Sequence, residues 1–191
     1  GIGGAVFNSG TGTVTIRDSV FATATDTVCN NGGNLTLGGA IWTAANISST
    51  NAVTIENDTL LALDLSGYVG TQAPKELITD FDAMFGASQS NLTISVNVAS
   101  VLGNGSYVLA TNASGMTQTE FTVTIDGDAE KSMSITVGES ELYGGREYSL
   151  AVEAGKLNLF IRNPTVIYVN SQWSGSHEGD GVDIPGGGTA Y

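Results

Sequence analysis

The chain has 191 residues, of which 26 are glycine and only 13% are Asp, Glu, Lys or Arg. Its length allows one or two domains with a buried core, and its 41% of hydrophobic residues argues against general disorder. With 19 acidic and 6 basic residues the net charge is −13, which disfavours nucleic acid and anionic membranes as partners.

Three apolar-Thr-apolar triplets recur in the first third of the chain. They occupy residues 14–16, 35–37 and 53–55, at a spacing of about 20 residues. A Gly-Gly-Ala-aliphatic phrase at residues 3–6 returns at residues 38–41. Such a period in a sequence rich in Gly, Asn and Thr is typical of a stacked solenoid. Residues 1–60 are therefore predicted to form the last coils, about three, of a right-handed parallel β-helix.

Within each triplet the residues alternate with the period of a β-strand. The apolar members are predicted to point into the core and the threonines to face outward. We expect burial of Ile16, Leu37 and Ile55, and exposure of Thr15, Thr36 and Thr54.

After residue 60 the pattern changes. Residues 61–65 still predict a strand. Residues 73–85 predict one short helix, because Pro74 is favourable in the first turn of a helix and Gly86 is favourable at its C-terminal end. The apolar side chains of this helix share one face, which indicates packing against the core rather than a cofactor site. They are Leu77, Ile78, Phe81, Met84 and Phe85.

From residue 91 onward, alternating runs predict antiparallel strands joined by turns at residues 126–128 and 153–155. Residues 61–162 are therefore expected to form a mostly antiparallel β cap on the coils. Residues 163–191 are predicted to be a strand at 166–169 and a Gly-rich acidic linker to a following module or subunit. The predicted strands of the cap are residues 92–98, 107–110, 121–125, 133–137, 148–152 and 156–161.

The Gly-Gly-Ala phrases, with residues 14–21 and 33–41, resemble β-helix repeats of bacterial autotransporter-type surface proteins and polymorphic outer-membrane proteins. The FxxN phrase of the latter is not found at residues 21–24. Residues 105–161 look like the segment that closes such β-helices. Residues 168–175 resemble the opening phrase of a following module in multi-module adhesins. The resemblance implies a secreted or surface-anchored passenger built from tandem units, and the start at Gly1 suggests a processed chain or an excised fragment.

A few charged residues of the coils define an enzymatic alternative. Parallel β-helices also host polysaccharide lyases and glycoside hydrolases, which place several carboxylates on adjacent coils. Asp18 and Glu56 follow strand phrases about two coils apart, so a paired acid–base site there is the alternative to a structural role. The charged residues that the coils offer are Arg17, Asp18, Asp26, Glu56 and Asp58.

Two acidic segments could supply oxygen ligands to Ca²⁺. Asp126, Asp128 and Glu130 lie in a tight turn that lacks a full EF-hand loop, so an ordinary hairpin tip is expected at residues 126–130 and calcium is the alternative. The same alternative applies to Asp180 and Asp183 in residues 178–183.

The remaining reactive and aromatic residues are expected to have structural rather than catalytic roles. His177, the only histidine, lies in the Gly-rich tail, where a catalytic base could not be held rigidly. Cys29, the only cysteine, rules out an internal disulfide and is expected to be structural, with a reactive thiol as the alternative. Trp42 is expected to pack against a coil and Trp173 to anchor an interface between modules. We therefore expect no catalytic, cofactor-binding or metal-binding residues and no cofactor.

Together these patterns predict a structural, non-enzymatic segment of a large bacterial cell-surface protein or fibre. It would serve as a stalk and as a surface for adhesion or self-association, outside the cell. Its expected partners are copies or neighbouring modules of the same protein, and a host or microbial glycan or protein. A carbohydrate-active β-helix enzyme or a carbohydrate-binding module is the alternative. No apolar run is long enough to span a membrane.

Overall fold

The computed structural model describes residues 6–21, 28–43, 47–56, 58–68, 77–86, 89–164, 183–184 and 188–189. This part of the chain is mostly β-structure with one short α-helix, so the predicted all-β class is confirmed. The elements are β1 Val6–Ser9, β2 Thr13–Arg17, β3 Val20–Phe21, β4 Val28–Asn31, β5 Asn34–Gly38, β6 Ile41–Thr43, β7 Ile47–Ser49, β8 Val53–Ile55, β9 Thr59–Leu65, α1 Phe81–Phe85, a 3₁₀ turn Gln89–Asn91, β10 Leu92–Val98, β11 Gly105–Ala110, β12 Glu120–Ile125, β13 Asp128–Thr136, β14 Ser140–Tyr143, β15 Arg146–Glu153, β16 Lys156–Arg162, β17 Asp183–Ile184 and β18 Gly188–Thr189.

The first nine strands form three parallel stacks. The first sheet has the order β1-β4-β7, the second has the order β2-β5-β8, and β3, β6 and β9 make one end of the third. Every neighbouring pair in these stacks is parallel. The chain thus visits the three stacks in the same order three times. The described sheets close into neither a barrel nor a solenoid, so they do not by themselves confirm a right-handed β-helix.

The three predicted triplets lie side by side in the second sheet. Ile16 is paired with Leu37, and Leu37 with Ile55. Their side chains are 9%, 0% and 2% exposed, so the predicted inward face is confirmed. The threonines between them are Thr15 and Thr54, which are exposed as predicted, and Thr36, which is half-buried.

The two Gly-Gly-Ala phrases lead into different sheets. Val6 lies in β1 and pairs with Val28 in the first sheet. Ile41 lies in β6 and pairs with Val20 and Leu60 in the third sheet. The aliphatic residues of the two phrases therefore lie in different sheets, because a short Gly-rich phrase suits any corner of the chain.

The third sheet continues past residue 60, in the order β13-β12-β10-β9-β6-β3. β10 is parallel to both β9 and β12, and only the β12–β13 hairpin, with its turn at residues 126–127, is antiparallel. The prediction that every strand after residue 91 is antiparallel is therefore wrong for β10. Period-two alternation does not encode strand direction, and the long connections 66–91 and 99–119 allow a parallel return.

A separate antiparallel sheet has the order β11-β16-β15-β14. Its β15–β16 hairpin turns at residues 154–155, as predicted. One face of this sheet packs into the core and the other carries Phe160, which is half-buried. The buried side chains of the inner face include Tyr107, Tyr148, Leu150, Leu159 and Ile161.

Helix α1 is shorter than predicted. The amides of Leu77 and Ile78 donate to the Leu109 carbonyl oxygen at 3.0 and 3.1 Å, so this segment pairs with β11 instead of coiling. Asp80, with a φ of 61°, then immediately precedes the helix. Pro74 lies outside the described residues. The predicted apolar face does meet the core, with Ile78, Phe81 and Phe85 buried and Leu77 and Met84 packed against them.

Trp42 is fully buried, as predicted. Within the predicted linker, β17 and β18 pair antiparallel. The strand predicted at residues 166–169 lies outside the described residues. The one α-helix of the described part is too short to cross a membrane.

Candidate functional site

Glu56 lies against Gly38, the last residue of the central strand of the second sheet, and Asp18 lies against Gly39, the residue that follows. A β-carbon on Gly38 would overlap Glu56 Oε2, and one on Gly39 would lie 2.8 Å from Asp18 Oδ1. The absence of side chains at these two glycines therefore makes room for both carboxylates. Asp18 and Glu56 could be named as a candidate pair from the sequence, but the role of the two glycines could not.

A neighbouring residue, Arg17, determines the hydrogen bonding and the pKa of the Glu56 carboxyl group. Arg17 Nε donates to Glu56 Oε2 at 2.7 Å, and Arg17 Nη2 donates to Glu56 Oε1 at 2.6 Å. These bonds hold the pKa of Glu56 below its ordinary value and raise the pKa of Arg17. A general acid needs a raised pKa. Glu56 is thus a poor proton donor, and its carboxylate links β2 to the residue that follows β8.

The acidic turn at residues 126–130 uses its carboxylates to cap the hairpin. Asp126 Oδ1 accepts the Ser100 amide at 2.8 Å, and Asp128 Oδ1 accepts the Glu130 amide at 3.0 Å. Asp128 Oδ2 also lies 3.1 Å from Lys131 Nζ. The bond from Ser100 lowers the pKa of Asp126, and the bond from Lys131 lowers that of Asp128. These are the contacts of an ordinary hairpin tip.

The other candidate residues form no cluster among the residues that the structure describes. Cys29 is a free, half-buried thiol in β4. Asp58 is exposed and has a φ of 67°. No group of three or more His, Cys, Asp or Glu side chains in the described ranges is placed to hold a metal ion. Asp183 begins β17, and the candidates outside the described residues are Asp26, Trp173, His177 and Asp180.

A buried polar ladder in the first sheet was not predicted. Asn8, Asn30 and Ser49 occupy paired positions of β1, β4 and β7. Asn8 Nδ2 donates to Asn30 Oδ1 at 2.8 Å, and Asn30 Nδ2 donates to Ser49 Oγ at 3.0 Å. The two asparagines are 5% and 1% exposed. Because buried amides need partners, this ladder fixes the register of the stack.

The same amides also bind the corners that lead into the second sheet. Asn8 Nδ2 donates to the carbonyl oxygens of Gly12 and Asn34 at 3.1 and 3.2 Å, and Asn30 Nδ2 donates to that of Gly33 at 2.8 Å. A methyl group on Gly33 would overlap both the Asn8 amide and the Gly12 carbonyl oxygen. The signal in the sequence is an Asn-x-Gly phrase at residues 8–10 and 30–32.

The ladder ends at a common edge of the three stacks. Strands β1, β2 and β3 each stand last in their sheet, with a described partner on one side only. Asn8 is the last described member of the ladder on that side. An edge strand presents N–H and C=O groups that can pair with another strand. Residues 1–55 carry only three charged side chains, so charge provides little protection against such pairing.

Comparison of the chain with protein-family models, curated proteins and solved structures found no match.

Proposed function

We propose that this chain is a structural, non-enzymatic segment of a large extracellular bacterial surface protein or fibre. In this proposal β1–β9 are coils of a right-handed parallel β-helix, and the strands that follow cap it. The single observation that carries the proposal is the threefold visit to three parallel stacks in a fixed order. In a stacked architecture each repeat contacts only its neighbours, so the structure can be extended by adding repeats, which suits a stalk.

Two sets of contacts between coils support this role. The Asn8–Asn30–Ser49 ladder links three successive strands inside the first sheet. The Arg17–Glu56 pair links the outer strands of the second sheet across its middle strand. Both sets join residues of successive strands that are far apart in sequence, so they hold the stacks together along the stacking direction.

The edge formed by β1, β2 and β3 is the proposed interaction surface. Its partner is a neighbouring coil, supplied by an adjacent module of the same protein or by a second copy of the chain. Pairing at this edge joins unlike surfaces, and a contact of that kind can repeat into a fibre instead of closing into a ring.

The lowered pKa of Glu56 argues against Glu56 as the catalytic acid of the enzymatic alternative. A glycoside hydrolase needs one carboxylic acid that stays protonated near the other carboxylate. The Arg17 guanidinium favours the ionised form of Glu56 instead. A carbohydrate-binding module remains the second candidate because a shallow depression with both polar and apolar lining opens beside the four-stranded sheet, at residues 104–106 and 160–163.

The edge proposal is tested by light scattering of the full chain over a range of concentrations. Thr15 is exposed on edge strand β2, whereas Thr122 is exposed on β12, which is paired on both sides. We expect the native chain and Thr122→Lys to associate with rising concentration and Thr15→Lys to associate less, because a lysine protects an edge strand. A native chain that stays monomeric at every concentration, or equal association of both variants, would contradict the proposed edge.

A further inference from the structure

A cavity of about 430 Å³ lies where β11 begins and β16 ends. Residues 104–106 and 160–163 line it. It is a shallow depression, open to solvent rather than enclosed. It lies in the four-stranded sheet, away from the stacks and their edge, so its role is independent of the proposed structural function.

The outer face of the sheet supplies an aromatic ring and a guanidinium group to this cavity. The Arg162 guanidinium carbon lies 4.7 Å from the centroid of the Phe160 ring. Phe160 is flanked by Ser106 on β11 and Ser149 on β15, whose small side chains leave room around the ring. Stacking of this kind fixes the plane of the guanidinium while its N–H groups point outward in that plane.

Arg162 has no carboxylate partner among the described residues. The salt bridges of that part of the chain join Arg17 to Glu56 and Lys131 to Asp128. Glu147 stands opposite Arg162 in the strand register, but the pair is not within salt-bridge distance. Its guanidinium therefore has the charge and geometry to receive a planar oxyanion.

A network of amide side chains completes the cavity. Asn104 Nδ2 donates to Asn163 Oδ1 at 2.8 Å, and Arg146 Nη2 donates to Asn104 Oδ1 at 3.1 Å. Arg146 therefore fixes which way the Asn104 amide faces, while its own guanidinium lies over the Tyr148 ring and outside the cavity. Asn104, Asn163 and Ser106 offer donors and acceptors together, as hydroxyl groups of a ligand require.

We propose that this cavity binds a carboxylated sugar. Arg162 would receive the carboxylate, and Asn104 and Asn163 would receive ring hydroxyl groups. A neutral sugar would leave the guanidinium without its anion, and a simple carboxylate would leave the amides without their hydroxyl partners, so both should bind more weakly.

The test is a titration of the ¹⁵N-labelled full chain with glucuronate at fixed ionic strength, followed by NMR shifts, with glucose and acetate as comparison ligands. We expect saturable shifts at residues 104–106 and 160–163 with a Kd of about 1 mM. Arg162→Ala should weaken binding by about tenfold or more, because it removes a charge-assisted hydrogen bond. Lys156→Ala is the matched control, since it removes a positive charge from the same strand outside the cavity.

Arg162→Lys separates charge from geometry. Lysine keeps the charge but cannot form the flat, bidentate contact, so we expect binding weaker than in the native chain. Native-like thermal unfolding of each variant would show that its fold is retained. The proposal is overturned if glucuronate causes no saturable shifts up to about 50 mM, where a site of 1 mM affinity would be full. It is equally overturned if acetate or glucose binds as well as glucuronate, or if Arg162→Ala binds like the native chain.

Discussion

Arg17 and Glu56 are 39 residues apart in sequence and form a bidentate ion pair across the middle strand of the second sheet. The pair passes over Gly38, which is paired with Arg17 and has no side chain to obstruct it. Both partners remain in contact with solvent, with side chains 59% and 38% exposed. The pair therefore contributes to register and orientation more than to stability, as exposed ion pairs do.

The glycine beneath this pair can be tested directly. Gly38→Ala should separate Arg17 from Glu56, because the new methyl group would overlap the glutamate side chain. We expect the pKa of Glu56 to rise toward its ordinary value in this variant, as measured by NMR of the carboxyl carbon. In a Glu56→Ala background the same substitution should be better tolerated in thermal unfolding, since the carboxylate is gone and only the β-carbon of residue 56, at 3.1 Å, remains close. Equal destabilisation in both backgrounds would mean that the side chain of Glu56 is not what limits residue 38.

The ion pair also predicts a dependence of stability on pH. The pKa of Glu56 is lowered in the folded chain, so its contribution is fully present above the ordinary glutamate pKa of about 4.3. It is lost as the pH falls through the lowered value. We expect Arg17→Gln to raise the pKa of Glu56 and to remove this contribution. The carboxyl of Asp126, whose pKa is lowered by the Ser100 amide, is the internal control and should titrate unchanged.

The polar ladder predicts that Gly33 cannot carry a side chain. Gly33→Ala should destabilise the fold by about 1–3 kcal/mol, the usual range for overpacking, because the Gly12 carbonyl oxygen that it meets is backbone and cannot swing away. Gly67→Ala is the matched control, since nothing lies within 4 Å of a β-carbon there. Chemical denaturation measures both variants. A Gly33→Ala chain as stable as Gly67→Ala would refute the close approach of Gly33 to Asn8 and Gly12.

The second sheet predicts a sharp contrast between adjacent residues of β8. Ile55 is 2% exposed and its neighbour Thr54 faces solvent. Ile55→Ala should cost about 2–5 kcal/mol of unfolding free energy, through lost burial and the cavity left behind. Thr54→Ala should change it by less than about 0.5 kcal/mol. Similar effects of the two substitutions in urea unfolding would mean that the strand register is wrong.

The acidic turn predicts the absence of a calcium site. We expect no saturable Ca²⁺ binding at residues 126–130, because Asp126 and Asp128 already accept backbone amides and Asp128 contacts Lys131. Isothermal titration of the full chain with CaCl₂ measures this. A stoichiometric isotherm that Asp128→Asn abolishes would show that the turn rearranges to hold the ion.

Several features of the fold follow from local sequence alone. The alternation at residues 35–37 and 53–55 has a period of two whatever the strand pairs with, so the burial of Leu37 and Ile55 could be predicted. The hairpin turns could be predicted for the same reason, since turn residues act within a few positions of the chain. The hypothesis of an Asp18–Glu56 pair also came from the spacing of the triplets.

The tertiary structure decided what local pattern does not encode. The direction of β10 depends on its partner β9 and on the connection between them, because alternation is the same in parallel and antiparallel strands. The start of α1 depends on the pairing of Leu77 and Ile78 with Leu109. Whether Glu56 could serve as an acid depended on Arg17, and the cavity at Arg162 on strands that meet only in the fold. Hydrophobic periodicity is a property of one segment, whereas hydrogen bonds and ion pairs between distant residues exist only once the segments have met.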